Sequence, residues 1–334
     1  MMNEKEKLLI VAGYGGHSGY AFAVAQELLK LGFRDNVIVV AEGYDFLIEK
    51  FKELGDVYTQ AVPRRAGEAI YRGLHRWIIA FYQSAKLLFK HRFKAAFLTG
   101  SNFSIPPSIL SKIKLIPIYT IEAIEHFKKP SKAVKILESI GATVFLHWDE
   151  QLEIYPRGVV VGPVYEPPIY ESKDGGYILV TTGTLGYKEL FDAIEKLKLE
   201  NVVLQTGDVD PERYLKKNPK WVVFNYTSDI HKWIANASLV ITQQGLTASI
   251  ARLAYRKPTI IVWNPRVKLG ATKQDVEIYA EKLEAPFLEA PELDAIRRAM
   301  EEAEPMKLKV DNGSRRIAET FLNLLRFHEV SPLR

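Results

Sequence analysis

The sequence contains no cysteine, which excludes disulfide cross-links and thiolate metal sites. It also lacks any apolar run long enough to span a bilayer. Met1 to Lys7 is charged and has no apolar core of the kind a signal peptide carries. These absences lead to the expectation of a soluble or peripheral intracellular protein. No zinc spacing, Gly-x-Ser-x-Gly elbow or helix–turn–helix signature is evident. Net charge is only +5, so the placement of charge says more than its sum.

What is present is an ordered, apolar-rich chain, 47% hydrophobic, whose 334 residues exceed what one core usually spans; two domains follow. Apolar runs alternate with helical patterns from the start. Leu8–Ala12, Val37–Ala41, Asp56–Val62, Ala95–Thr99, Leu115–Ile121 and Thr143–His147 read as strands, with helical spacing at Tyr20–Leu31, Phe46–Leu54 and Ala66–Phe89. Proline and glycine punctuation around Glu166-Pro167-Pro168 and Lys173-Asp174-Gly175-Gly176 reads as a linker. The alternation then restarts with Tyr177–Thr182, Val202–Gln205, Trp221–Phe224, Leu239–Thr242 and Thr259–Val262, and a last amphipathic helix spans Asn312–Phe327. The class is therefore α/β, two Rossmann-like domains facing a cleft. The first covers residues 1–164. The second covers 165–334, its final helix able to pack back on the first. Ligands belong beyond the carboxyl ends of the strands.

Three strand–loop–helix turns carry chemistry. The first is Gly13-Tyr14-Gly15-Gly16-His17-Ser18-Gly19. Backbone N–H groups at the following helix start and its dipole favour an anion, and His17 adds a group that exchanges protons near neutral pH. No Gly-Lys-Ser/Thr follows, so it is not a P-loop, and the glycine spacing differs from the dinucleotide fingerprint. A tight turn with a solvated histidine is the plainer alternative. The second is Thr182-Gly183-Thr184-Leu185-Gly186, ahead of Glu189-Leu190; the third is Thr242-Gln243-Gln244-Gly245-Leu246-Thr247. For the third, ordinary capping by Thr247 competes with ligand binding.

Between Arg64 and Lys94 the chain is basic and aromatic: Arg64, Arg65, Arg72, Arg76, Trp77, Phe81, Tyr82, Lys86, Lys90, Arg92 and Lys94, with Glu68 the sole acid. Such a helix suits an anionic membrane or nucleic acid phosphates. The alternative is a core helix with a solvated basic face.

These residues resemble a known family. Gly15-Gly16-His17, Val62-Pro63-Arg64-Arg65, Leu98-Thr99-Gly100, the Ile118–Ile124 segment around Glu122 and Val144–Trp148 are similar to the membrane-recruiting subunit of the two-part enzyme that adds the second N-acetylglucosamine to a lipid-linked oligosaccharide. Val180-Thr181-Thr182-Gly183-Thr184 with Glu189-Leu190, Asp229-Ile230 ahead of Ala235–Ile241, Gly245–Pro258 and Lys273-Gln274 resemble its nucleotide-sugar-binding subunit. The order is that of a fusion of the two. The bacterial lipid II glycosyltransferase is a more distant likeness over nearly the full chain.

The resemblance implies a GT-B, inverting transferase of polysaccharide biosynthesis that moves N-acetylglucosamine from UDP-GlcNAc to a polyprenyl-linked acceptor, without a metal cofactor. It implies a cytoplasmic protein, peripheral on the inner face of the cell membrane, with no nucleic acid partner. His17 and Glu122 become the catalytic candidates. The expected nucleotide-sugar contacts are Gly15, Gly16, Gly183, Thr184, Thr227, Gln244, Gly245, Thr247, Lys273 and Gln274. The expected membrane contacts are Arg72, Arg76, Trp77 and Lys86. Three positions depart from the family: Ala251 stands where a ribose-binding glutamate is usual, Lys273 replaces a histidine, and His126 replaces an arginine. Ala251 keeps an inactive nucleotide-sugar-binding scaffold as an alternative. A sugar-nucleotide epimerase of the same fold is the other.

Overall fold

The structure, a computed structural model, describes residues 6–64, 68, 73–227, 229–267 and 270–326. These fall into two compact units, one within Met1–Ile124, Pro130–Val164 and Asp311–Arg334, the other within Glu125–Lys129 and Tyr165–Val310.

In the first unit the order is β1 (Lys7–Gly13), α1 (Gly16–Lys30), β2 (Asn36–Ala41), α2 (Asp45–Phe51), β3 (Asp56–Gln60), α3 (Leu74–Lys90), β4 (Phe93–Leu98), α4 (Ile105–Ile113), β5 (Ile118–Ile121), α5 (Lys132–Ser139), β6 (Thr143–Leu146) and β7 (Val159–Val160). The strands form one parallel sheet, ordered β3-β2-β1-β4-β5-β6-β7. Leu8–Ala12 are wholly buried because β1 lies between β2 and β4. That is why its sequence is unbroken apolar rather than alternating. Strand β5 starts at Ile118 and not at Leu115, because Leu115 takes a left-handed backbone (φ 57°) and closes α4 with its N–H on Lys112 O at 3.0 Å.

In the second unit the order is β8 (Ile178–Thr181), α6 (Lys188–Lys196), β9 (Val202–Gln205), α7 (Glu212–Lys217), β10 (Val222–Phe224), α8 (Ile230–Asn236), β11 (Leu239–Gln243), α9 (Leu246–Ser249) running into a π turn (Ile250–Ala254), β12 (Thr259–Val262), α10 (Lys273–Lys282), β13 (Phe287–Leu288) and α11 (Leu293–Glu302). This sheet is also parallel, ordered β10-β9-β8-β11-β12-β13. No strand is expected at β13 from the sequence, since two residues leave no periodic signal.

The last helix, α12 (Ser314–Arg326), belongs to the first unit. Its Ile317, Ala318 and Phe321 are buried. The Phe321 ring sits 5.2 Å from Tyr119 and 5.8 Å from Phe97, on a face of β4 and β5. Emptying such a site by Phe→Ala costs roughly 3–5 kcal/mol.

Each sheet reverses its strand order once, between β1 and β4 in the first and between β8 and β11 in the second. In open parallel sheets the ligand crevice lies outside the carboxyl ends at that reversal.

Candidate functional site

At the first reversal, β1 ends at Gly13 and α1 begins at Gly16, with Gly15 at φ 60°, ψ −143° between them. An L side chain rarely adopts that conformation, so glycine is needed to turn the chain so sharply. Gly15 and Gly16 are exposed and His17 is half-buried at the helix start. The His17 ring reaches the loop after β4, where Nδ1 lies 2.5 Å from Thr99 O. A carbonyl only accepts, so Nδ1 carries the proton and Nε2 is the basic nitrogen. Thr99 is itself fixed, its hydroxyl donating to Val11 O at 2.9 Å. The Gly100–Ser104 loop therefore joins the Gly13–His17 loop in one site. Ser101 Oγ lies 3.5 Å from where a Cβ on Gly13 would stand. The sequence held the signal for this loop, a strand stopping at a glycine, although Ser101 and Asn102 are not among the expected site residues.

Glu122, the other expected catalytic group, is placed differently. It follows β5 and is 0% exposed. Its Oε1 accepts from Ala123 N–H (2.7 Å) and the Ser131 hydroxyl. Its Oε2 accepts from Ser131 N–H (3.0 Å) and the Tyr155 hydroxyl (2.5 Å). Burial and the carboxylate together push the Tyr155 phenol far above its ordinary range. A carboxylate enclosed by four donors is a brace for the β5 loop and presents no oxygen to a substrate. Beside it, His147 Nδ1 accepts from Val164 N–H and Nε2 donates to Glu122 O, both at 2.9 Å. Burial holds this imidazole down at about 4.

At the second reversal, Gly183 (φ 69°) and exposed Thr184 follow β8. Thr184 O accepts from Asp208 N–H at 2.9 Å, which pins the loop to the one after β9. After β11, Gly245 takes φ 123°, ψ −171°. Its carbonyl accepts from Ala248 N–H (3.1 Å) and from the Tyr279 hydroxyl of α10 (2.9 Å). Thr247 stands half-buried in α9. Thr227, ahead of α8, accepts from Asp229 N–H at 3.1 Å. Gln274 is exposed in the first turn of α10. All these expected donor contacts lie in the loops and helix starts that follow strands of one sheet.

Two expected donor contacts are otherwise engaged. Gln244 is buried and both ends of its amide bond the backbone of Asn264, Oε1 to N–H at 3.0 Å and Nε2 to the carbonyl at 3.2 Å. It ties the β11 loop to the β12 loop. Lys273 Nζ lies 2.9 Å from Glu289 Oε1. Ala251 is fully buried inside the π turn. That turn directs the next residue, Arg252, inward, where it donates to the carbonyls of Leu283, Lys257, Glu304 and Glu284 at 2.6–2.8 Å. Burial lowers this guanidinium to about 10. His126, at the departing arginine position, is 5% exposed. Among the described residues, no three His, Cys, Asp or Glu side chains gather in a way that could hold a metal ion.

Residues 177–317 match the glycosyltransferase family 28 C-terminal domain. Most of the matched residues lie in the second unit. The family 28 match covers the loops after β8 and β11 together with α10. Over 150 residues the chain is 28% identical to UDP-N-acetylglucosamine--N-acetylmuramyl-(pentapeptide) pyrophosphoryl-undecaprenol N-acetylglucosamine transferase of Protochlamydia amoebophila, a match spanning 43% of this chain and 38% of that relative. The enzyme of the same name from Prochlorococcus marinus strain MIT 9312 is 24% identical over 312 residues, 84% of this chain and 81% of the relative. In fold the chain is similar to MurG of Acinetobacter baumannii (TM-score 0.57, 17% identity, covering 96% and 99% of the two chains). It is also similar to UDP-N-acetylglucosamine 2-epimerase of Rickettsia bellii (TM-score 0.64, 14% identity, 97% of each chain). The chain thus has the GT-B fold, two parallel-sheet Rossmann-like units, with the family 28 match lying mostly in the second.

The membrane contacts need correction. Arg72 lies outside the described residues. Arg76 is half-buried and paired with Glu68, and Trp77 is half-buried, so neither lies on the open face of α3. That face is apolar: Leu74, Ile78, Tyr82 and Phe89 are 61–81% exposed. Lys86 and Lys90 are exposed beside them. Exposed Ile113 and Leu115 lie at the end of α4. Between them, Lys114 crosses to α3, its Nζ 4.5 Å from the Phe89 ring centroid and bonded to Leu88 O. No described helix is long and apolar enough to cross a membrane.

Proposed function

We propose that this protein is an inverting hexosyltransferase that moves N-acetylglucosamine from UDP-GlcNAc to a hydroxyl of a polyprenyl-diphosphate-linked acceptor. The observation that carries the reading is the coincidence of both glycine loops with the strand-order reversals of their sheets, the second inside a family 28 match. Relatives named for transfer of this sugar to an undecaprenol-linked acceptor support the donor and acceptor classes. The family 28 unit holds the donor on the Gly183 and Gly245 loops, with Thr184, Thr227, Thr247 and Gln274 around it. The first unit binds the acceptor at the Gly13–His17 and Gly100–Ser104 loops.

In the reaction the acceptor oxygen bonds to the anomeric carbon as the bond to the β-phosphate oxygen breaks. His17 Nε2 takes the acceptor proton, its tautomer set by Thr99 O. Helix starts at the glycine loops meet the developing negative charge. One polypeptide then combines the acceptor-side and donor-side roles that the two-part lipid-linked transferase divides between subunits.

The protein works from the cytoplasmic side at an anionic membrane. The apolar face of α3 and the end of α4 insert, and Lys86, Lys90 and Lys114 meet lipid phosphates. An apolar patch of this size in a ring of lysines fits a lipid surface better than solvent.

Incubation with labelled UDP-GlcNAc and a polyprenyl-diphosphate-linked sugar tests the reading. Label in the lipid fraction and released UDP are expected. Conversion of UDP-GlcNAc to its 2-epimer without acceptor would replace the reading with an epimerase, and UDP-GlcNAc binding with no turnover would replace it with a scaffold.

A further inference from the structure

A departing nucleoside diphosphate needs positive charge at its β-phosphate. Lys273 gives its ammonium to Glu289. Arg266 is held in a better position by a chain of fixed contacts. It leaves β12 on the loop that starts at Trp263. Asn264, 1% exposed, is locked into that loop by three bonds to the β11 loop: its N–H and carbonyl to the Gln244 amide, and its Nδ2 to Gln243 Oε1 at 2.6 Å. Asn264 Oδ1 in turn accepts from Arg266 N–H at 3.0 Å, setting the backbone of the arginine. From there the guanidinium reaches Glu189 Oε1 at 2.5 Å. Glu189 lies in the first turn of α6, just after the Gly183–Gly186 loop. Strand β11 lies between β8 and β12, so the ion pair runs from the β12 loop to the helix after β8 and spans the carboxyl end of β11. It stands at the carboxyl end of the same sheet as the two loops assigned to the donor.

We infer that Arg266 binds the diphosphate of the donor and takes up its charge as it leaves, and that Glu189 is the positioning residue that holds it when no donor is bound. The inference rests on the transferase reading above. Both partners are about half exposed, 59% and 49%, and exposed pairs of this kind contribute little stability. A diphosphate carries more charge than one carboxylate and matches the guanidinium fork with two oxygens. It therefore displaces Glu189. The electron pair of the broken glycosidic bond stays on the β-phosphate oxygen. The acceptor proton goes to His17, and Arg266 keeps its own proton throughout.

The test is calorimetric titration of UDP and of uridine into the full chain, wild type, Arg266→Met, Arg266→Lys and Glu189→Gln, with thermal melts of each. Arg266→Met should weaken UDP about 10-fold or more while uridine changes less than about twofold, since charge-assisted phosphate bonds are the strong ones. Arg266→Lys should recover part of the loss. Glu189→Gln, which removes the competing carboxylate, should bind UDP at least as tightly as wild type. Equal UDP affinity in wild type and Arg266→Met overturns the inference. So does a parallel loss of uridine and UDP, the mark of a collapsed loop. A wild type that binds neither ligand overturns the transferase reading and the inference with it.

Discussion

The two units brace their loops with groups of opposite charge. In the first, the buried carboxylate of Glu122 collects four donors and holds the β5 loop against Ser131 and Tyr155. In the second, the buried guanidinium of Arg252 collects four carbonyls and holds the end of α10 against the start of β12 and the chain near Glu304. Both are ionisable groups taken up by the fold. His17 and Arg266 are the reverse. They are half-buried and exposed, His17 at the start of α1 beside the first reversal and Arg266 on the loop after β12, the ring of the one bonded to Thr99 O and the backbone of the other to Asn264. Saturation marks a frame, and a partly open group with a fixed orientation marks a reactant.

The largest effects should come from removing the braces. Arg252→Met removes the guanidinium that ties four carbonyls together, and Glu122→Ala removes the carboxylate to which the Ser131 and Tyr155 hydroxyls donate. Each should cost roughly 3–5 kcal/mol in chemical denaturation. A loss below about 1 kcal/mol from either would end its description as a brace.

Next is a difference in acid sensitivity. His147 sits at about 4 when folded, against an ordinary 6.5. The unfolded chain therefore takes up a proton that the folded protein refuses until about pH 4. Stability is fully present above 6.5, and about 3 kcal/mol is lost as the pH falls from 6.5 to 4. Protonation at Nδ1 would also break the bond from Val164 N–H. Urea titrations across that window should show the slope, and His147→Asn should flatten it. An unchanged slope in that variant would remove His147 as the source.

His17→Ala should lower kcat about 100-fold with under about 1 kcal/mol of stability change, because the side chain is only half-buried. Glu122→Gln should lose activity only in step with its loss of fold. If Glu122→Gln instead stays folded and inactive while His17→Ala turns over normally, brace and reactant have been assigned the wrong way round.

The smallest effect concerns the membrane face. Lys86→Glu with Lys90→Glu should weaken flotation with anionic liposomes by about 1 kcal/mol per lysine removed, and high salt should do the same to wild type. Phe89→Ser should weaken binding at any salt concentration. Arg76→Glu should act on stability first, through its partner Glu68. Equal binding to neutral vesicles would contradict the electrostatic part of the account.

Much of this was legible in the residues. Unbroken apolar runs such as Leu8–Ala12 mark buried parallel strands, and a strand stopping at glycine marks both ligand loops. The helical period placed α1 and α12. The failures share a cause. The bonds of Glu122 to Ser131 and Tyr155, the paired bonds between Gln244 and Asn264, and the pairing of Lys273 with Glu289 join residues 9 to 33 positions apart in the chain. Nothing local distinguishes a carboxylate that will be enclosed from one that will meet a substrate. On α3, composition showed that the helix is basic and aromatic, while burial decided that its open face is mainly Leu74, Ile78, Tyr82 and Phe89. Ala251 was visible as a missing acid, yet the π turn around it was not, because helical spacing does not register a single widened turn.

Helix α12 lies at the far end of the chain from the sheet it covers. A gene divided after Val164 would therefore not yield two self-sufficient products. The first would carry Phe97, Tyr119 and Phe145 with no Phe321 against them. The second would end in an amphipathic helix with nothing to lie on. Co-expressed, the two pieces would have a reason to find each other, since the tail of one completes the core of the other, so the protein is a ready-made split-complementation pair.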